Sequence, residues 1–225
     1  SGDDHSPTNA PGGTASIFDR FKAQSPAGCV VALWQCIRAT SFMYPNATVT
    51  NAQAAGYLAD GFEMGLHPSF GNCPTTPPTI DDLTSVFDTQ LAQFQAKYTS
   101  LPPQVSSRTH CVIWPDWAGE AKLELARGIR MDANYYHYPQ AWIGSKQGFL
   151  NGGGFPMRFA DTDGTTIDVY QENTAMDDEA SQAYPATVNA LLDNAIGATG
   201  YYGAFGINIH NDNQAPNPND EAIVT

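Results

Sequence analysis

The chain alternates two kinds of apolar pattern. Residues 14–24 (TASIFDRFKAQ) carry Ile17, Phe18 and Phe21 at helical spacing, whereas residues 29–37 (CVVALWQCI) form the continuous apolar run expected of a strand buried on both faces of a parallel sheet. Residues 51–60 predict a short alanine-rich helix that leads into a second strand at Phe62-Glu63-Met64-Gly65-Leu66. The strongest helical pattern covers residues 79–98: Leu83, Val86, Phe87, Leu91 and Phe94 fall on one stripe, Thr79 suits the N-cap, and Asp81 and Asp82 complement the positive end of the helix. Beyond Pro102-Pro103 the pattern predicts a strand over 105–111, a helix over 118–127 and a strand over 129–134. A hairpin follows over 156–171 around Asp163-Gly164, then a helix from about 179 to 196 and a strand over 203–209. Helices that regularly separate strands imply an α/β fold with mainly parallel strands, the sheet being open or closed.

Length and composition bound the possibilities. With 225 residues, 42% of them apolar, the chain suffices for one large core, so residues 1–225 are expected to form a single domain. It opens on Ser1-Gly2-Asp3-Asp4 without an apolar strand ahead of the acids, which suggests a domain cut from a longer secreted precursor with its first strand and last helix incomplete. The net charge of −13 reflects only 10 Lys and Arg, too few for the basic stripe that nucleic acid requires. No apolar stretch reaches the ~18 residues of a transmembrane helix, and a monomer is expected. Low charge with abundant Asn, Gly, Thr, Tyr and Trp suits a secreted or cell-surface protein that handles neutral polymers. Read as one extended strand, the segment between Cys29 and Cys36 spans more than ~20 Å, too far for a mutual disulfide. Cys73 and Cys111 each follow a strand end and could face each other, although four reduced buried thiols fit the sequence equally well.

Four short apolar segments close on acids or histidines: Asp3-Asp4-His5, Gly65-Leu66-His67-Pro68, Arg108-Thr109-His110 and Ile209-His210-Asn211-Asp212. In a strand-helix barrel the C-terminal strand ends share one face, so these groups become neighbours and could assemble a metal-dependent hydrolase. Adjacent carboxylates divide the work, one holding a divalent ion and the other acting as base, and two imidazoles complete a facial set. In order and type, Asp3-Asp4, Asp60-Gly61-Phe62-Glu63-Met64-Gly65-Leu66-His67, Arg108 before His110, and Ile209-His210-Asn211-Asp212 resemble the successive motifs of the polysaccharide deacetylase family with the NodB homology domain. The resemblance implies a distorted or incomplete (β/α) barrel, with Asp3 as catalytic base, Asp4 and His67 as metal ligands, Arg108 holding the base, His210 as general acid, and zinc or another divalent ion as cofactor.

The chain departs from that family at one position. Where the family's second motif carries another His four residues after the first, this sequence has Gly71. His110 is the candidate replacement ligand, with His5 as the alternative. Trp114, Trp117, Tyr135, Tyr136 and Trp142 follow the middle strands and could stack on sugar rings, or simply form an apolar rim. The expected activity is removal of an acyl group, acetyl foremost, from an N- or O-acetylated carbohydrate. A catalytically degenerate glycan-binding module, which Gly71 favours, and a metal-dependent hydrolase of a non-carbohydrate amide are the alternatives.

Overall fold

The computed structural model describes residues 2–4, 14–76, 78–135, 155–178, 185–200 and 205–210. Among these, strand and helix alternate: β1 (Gly2–Asp4), α1 (Thr14–Gln24), β2 (Thr40–Met43), α2 (Asn51–Ala59), β3 (Glu63–Leu66), α3 (Ile80–Lys97), β4 (Ser106–Ser107), α4 (Gly119–Leu125), β5 (Met131–Tyr135), β6 (Met157–Ala160), β7 (Thr166–Asp177), α5 (Ala186–Ile196) and β8 (Gly206–His210). Seven strands run parallel in the order β3-β2-β1-β8-β7-β5-β4, and β6 adds antiparallel to β7. The end strands β3 and β4 meet through side chains rather than a backbone ladder. Ser106 Oγ donates to Glu63 Oε1 at 2.6 Å, and Leu66 N donates to Gln104 Oε1 at 2.5 Å. The result is a nearly closed α/β barrel with one seam; the strand-helix alternation predicts the parallel sheet and leaves its closure open.

Local chemistry explains the helices. Thr79 caps α3 by accepting from Asp82 N at 3.2 Å while its own N–H donates to Asp82 Oδ2 at 3.0 Å, and Thr50 with Gln53 builds the same reciprocal cap on α2. The apolar faces of α1, α2 and α3 bury Phe18, Tyr57, Phe94 and Tyr98 against Met43, Met64 and Leu66 of β2 and β3, with Phe18 stacked on Phe62 at 4.4 Å. A second cluster of Leu83, Phe87, Leu123 and Ile129 joins α3 to α4.

The apolar run over residues 29–37 is not a strand. It folds into a loop containing a 3-10 turn, Val31–Leu33, with Trp34 in the left-handed region at φ 58°. Because the chain doubles back, Cys29 and Cys36 lie 5.2 Å apart at Cα and are bonded, contrary to the extended-strand expectation. Val30, Leu33 and Trp34 are exposed, and the Arg38 guanidinium covers the Trp34 ring at 3.8 Å. The strand of this region is the four-residue β2 instead. The strand expected over 105–111 contracts to Ser106–Ser107 and gives way to a tight turn, His110–Val112, with Cys111 at φ 62°. Cys73 and Cys111 are bonded, with Cα atoms 5.6 Å apart. The hairpin turns at Asp163-Gly164, and Asp161 N donates to Thr165 O at 2.8 Å. The helix expected from residue 179 is described only from Ala186; residues 179–184 lie outside the described residues. Among the described residues no helix is long and apolar enough to cross a membrane.

Candidate active site

The C-terminal ends of β1, β3, β4, β7 and β8 deliver the polar residues. Register places Asp3 of β1 beside His210 of β8. Asp3 is buried, and Arg108, which follows β4, donates from Nε to Asp3 Oδ2 at 2.9 Å. Arg108 is itself anchored through Nη1 to Ala133 O at 2.6 Å and Thr174 Oγ1 at 3.0 Å, so it ties β1, β5 and β7 together inside the barrel. Asn208 donates to Asp3 Oδ2 at 3.3 Å and to Asp177 Oδ2 at 3.1 Å. Asp3 Oδ1 is buried and has no hydrogen-bond partner among the described residues. Burial alone would push this carboxyl up, but Arg108, followed by His67 and His210, outweighs burial and holds it well below the ordinary carboxylate range. Asp3 is therefore ionised, with one oxygen fixed and the other available to accept.

His210 is poised the opposite way. Its Nδ1 lies 2.7 Å from Asp178 Oδ1, and its backbone N–H donates to both Asp178 oxygens at 3.2 Å. Burial disfavours the charged ring, but the hydrogen bond and charge of Asp178, aided by Asp3 and Asp177, raise its pKa to about 9. A carboxyl held low beside an imidazole held high is a separation of pKa values of the kind that acid-base chemistry uses.

On the far side of Arg108 lies a histidine pair. His67, at the end of β3, is buried, and its Nδ1 is 2.7 Å from Arg108 O. A carbonyl can only accept, so Nδ1 carries a proton and donates to it, and Nε2 is the ring nitrogen that could ligate a metal when the ring is neutral. The half-buried His110 ring stands 5.3 Å from it, edge to face at 79°, with its backbone held by Pro68 O at 2.8 Å. Tyr44 packs against both rings at 5.6 and 5.7 Å. Imidazole nitrogen is a donor that borderline divalent ions accept; among the described residues, the acids and histidines whose ligand atoms lie within 4.8 Å of one another are Asp177, Asp178 and His210, and Glu120, Glu124 and Asp132. Cys73 and Cys111 adjoin His110, but their sulfurs are bonded to each other and cannot ligate. The left-handed backbone of Gly71, φ 89°, would strain a histidine, although the space beside it is open.

The remaining candidates are placed unevenly. The Asp4 side chain, that of Tyr135 and all of His5, Tyr136 and Trp142 lie outside the described residues. Trp114 stacks on Phe159 at 5.3 Å, and the exposed Trp117 donates from Nε1 to Ala160 O at 2.8 Å, so both ride on the β6 edge. Sequence reasoning missed Asp177, Asp178, Asn208, Thr174 and Tyr44. Beside the histidine pair, Tyr44, Asn46, Ser69, Gly71, Gln90 and Gln93 line a cleft of about 330 Å³. Comparison with known proteins finds no matching protein-family model and no matching curated sequence.

Proposed function

We propose that the chain is a metal-dependent hydrolase that removes acyl groups, acetyl foremost, from an N- or O-acetylated carbohydrate. The observation that carries this reading is the juxtaposition, at one barrel end, of Asp3 held by Arg108, His210 held by Asp178, and the imidazole pair His67 and His110. In this reading Asp4, His67 and His110 hold a divalent ion, zinc being the best match to the imidazoles, and His110 stands in for the ligand that Gly71 cannot supply. Such an ion, when bound, polarises the acyl oxygen and acidifies water. Asp3 Oδ1 accepts the proton of the attacking water, while Arg108 and Asn208 keep Oδ2 occupied and the carboxylate aimed. His210 donates its proton to the departing amine or alkoxide, and Asp178 restores its orientation. Asn46 and Gln93 along the neighbouring cleft offer neutral amides of the kind that bind sugar hydroxyls, Gln90 holds the Ser69 backbone with both ends of its amide, and Trp117 offers an exposed ring face. Two disulfides suit an oxidising, extracellular setting.

The test combines elemental analysis with deacetylation rates on acetylated sugars and on simple amides. Asp3→Asn is expected to abolish turnover with metal retained, Asp4→Asn to lose both, and His210→Ala to lose roughly 10²- to 10⁴-fold in rate. Glycan affinity without metal or turnover would instead identify a binding module. Turnover of simple amides but not of sugars would identify an amide hydrolase.

A further inference from the structure

Behind the candidate active site, three carboxyl groups are sealed between α4 and the strands β4 and β5. Glu120 and Glu124, four residues apart on one face of α4, meet Asp132 of β5, and one oxygen from each lies within 4.8 Å of the others. All three residues have no exposed surface. Alternation along the chain explains the separation from the catalytic face: Arg108 points to Asp3 inside the barrel, whereas Ser107 and Thr109 point the other way, under α4.

Only neutral donors serve the trio. Thr109 Oγ1 donates to Glu120 Oε1 at 2.5 Å, Asn134 Nδ2 donates to Glu120 Oε1 at 3.0 Å and to Asp132 Oδ2 at 2.7 Å, and Asn134 N donates to Asp132 Oδ1 at 3.0 Å. Among the described residues, no ion pair reaches any of the three. Glu120 Oε2 and both oxygens of Glu124 have no hydrogen-bond partner. The Ser107 hydroxyl, on a residue only 1% exposed, likewise has no partner at full hydrogen-bond geometry and faces Glu124, which also lies against Asp132. These four buried oxygens have lost water without gaining a well-formed hydrogen bond in its place.

We propose that Glu120, Glu124, Asp132 and Ser107 form a structural site for a hard divalent cation of the calcium class. All donors are oxygen, which selects against zinc and for calcium or magnesium. Calcium tolerates the irregular, fully protein-derived shell that a buried trio offers, whereas magnesium retains water and demands an octahedron. Mutual spacing below 4.8 Å matches oxygens that share one ion at about 2.3–2.6 Å. In the absence of a cation, burial first and the neighbouring carboxylates second push Glu120 and Glu124 well above the ordinary range, and burial raises Asp132 to about 6. The bound ion would also stiffen the catalytic side, because Thr109 N donates to Asn134 Oδ1 at 2.6 Å and so links the trio to the segment that carries Arg108 and His110.

The protein, unfolded with its disulfides intact and refolded in calcium or in chelator, tests this directly. Calcium at a hundredfold excess over its Kd is expected to raise Tm by roughly 5–10 °C, with magnesium much weaker. Purified from calcium-containing medium, the wild-type chain should retain about one calcium after gel filtration. Glu124→Gln and Glu120→Gln should lose both the retained calcium and the Tm response, while His67→Ala keeps them, which separates this site from the candidate catalytic ion. If the wild type retains no calcium and its Tm is indifferent to calcium while rising as pH falls, protons alone neutralise the trio and the proposal is overturned. Retention undiminished in both glutamine variants would overturn it as well.

Discussion

His210 owes its proton to Asp178, a residue 32 positions earlier in the chain that touches it through both ring and backbone. Because the folded pKa of about 9 lies above the ordinary 6.5, the stability contributed by this pair is complete below pH 6.5 and is lost as pH rises through 9. Asp178→Asn is therefore expected to bring the His210 titration, followed by NMR of its ring protons, down by at least one pH unit, and to move the alkaline limit of kcat/KM with it. An unchanged titration would mean that Asp178 does not set the proton. At this scale the sequence was partly legible. His67 and His210 stand out because each closes a short apolar segment, Asp3 because it is one of two adjacent acids, and Arg108 because it shortly precedes His110. Ala175-Met176-Asp177-Asp178 has the same form, but it ends a twelve-residue strand that begins in a hairpin, and the hairpin dominates the pattern. Glu120 and Glu124 were hidden for another reason: acids spaced four apart on a helix ordinarily face water, and only the fold reveals that this stripe faces β5.

Elements with strong local determinants were readable and those shaped by distant contacts were not. The Thr79 cap and apolar stripe define α3 without help from the rest of the chain. Residues 29–37 carry the hydrophobicity of a buried strand, yet the short covalent loop from Cys29 to Cys36 bends them outward, and β2 is too brief at four residues to leave a periodic signal. The β7–β8 pairing depends on a close approach that no pattern announces. A Cβ on Gly206 would come within 2.2 Å of the Asn173 carbonyl oxygen, which is backbone and cannot swing away. Gly206→Ala is expected to cost about 1–3 kcal/mol in urea unfolding. Because β8 also carries Asn208 and His210, turnover should fall further than the loss of folded protein explains. Unaltered stability would show that β8 tolerates displacement from β7.

At the scale of the whole molecule, the first strand occupies the middle of the sheet. β1 lies between β2 and β8, and its Asp3 meets Asn208 across a separation of 205 residues. Contacts so distant in sequence form late because loop closure precedes any gain from pairing. In pulsed hydrogen exchange during refolding, amides of β1 and β8 are expected to gain protection together and after those of α3; earlier protection of β1 would contradict this order. The parallel sheet followed from the alternation of elements, whereas nothing in that alternation indicates that the sheet closes or where its seam falls. That depends on Glu63, Ser106 and Gln104, polar residues whose partners lie on another strand. The central position of β1 also has a consequence for biosynthesis. At translation rates of about 5–20 residues per second, the first strand waits roughly 10–40 s for its partner to leave the ribosome. Throughout that interval the edge of β1 that pairs with β8 has no partner, and an unpaired strand edge is a template on which other chains can add.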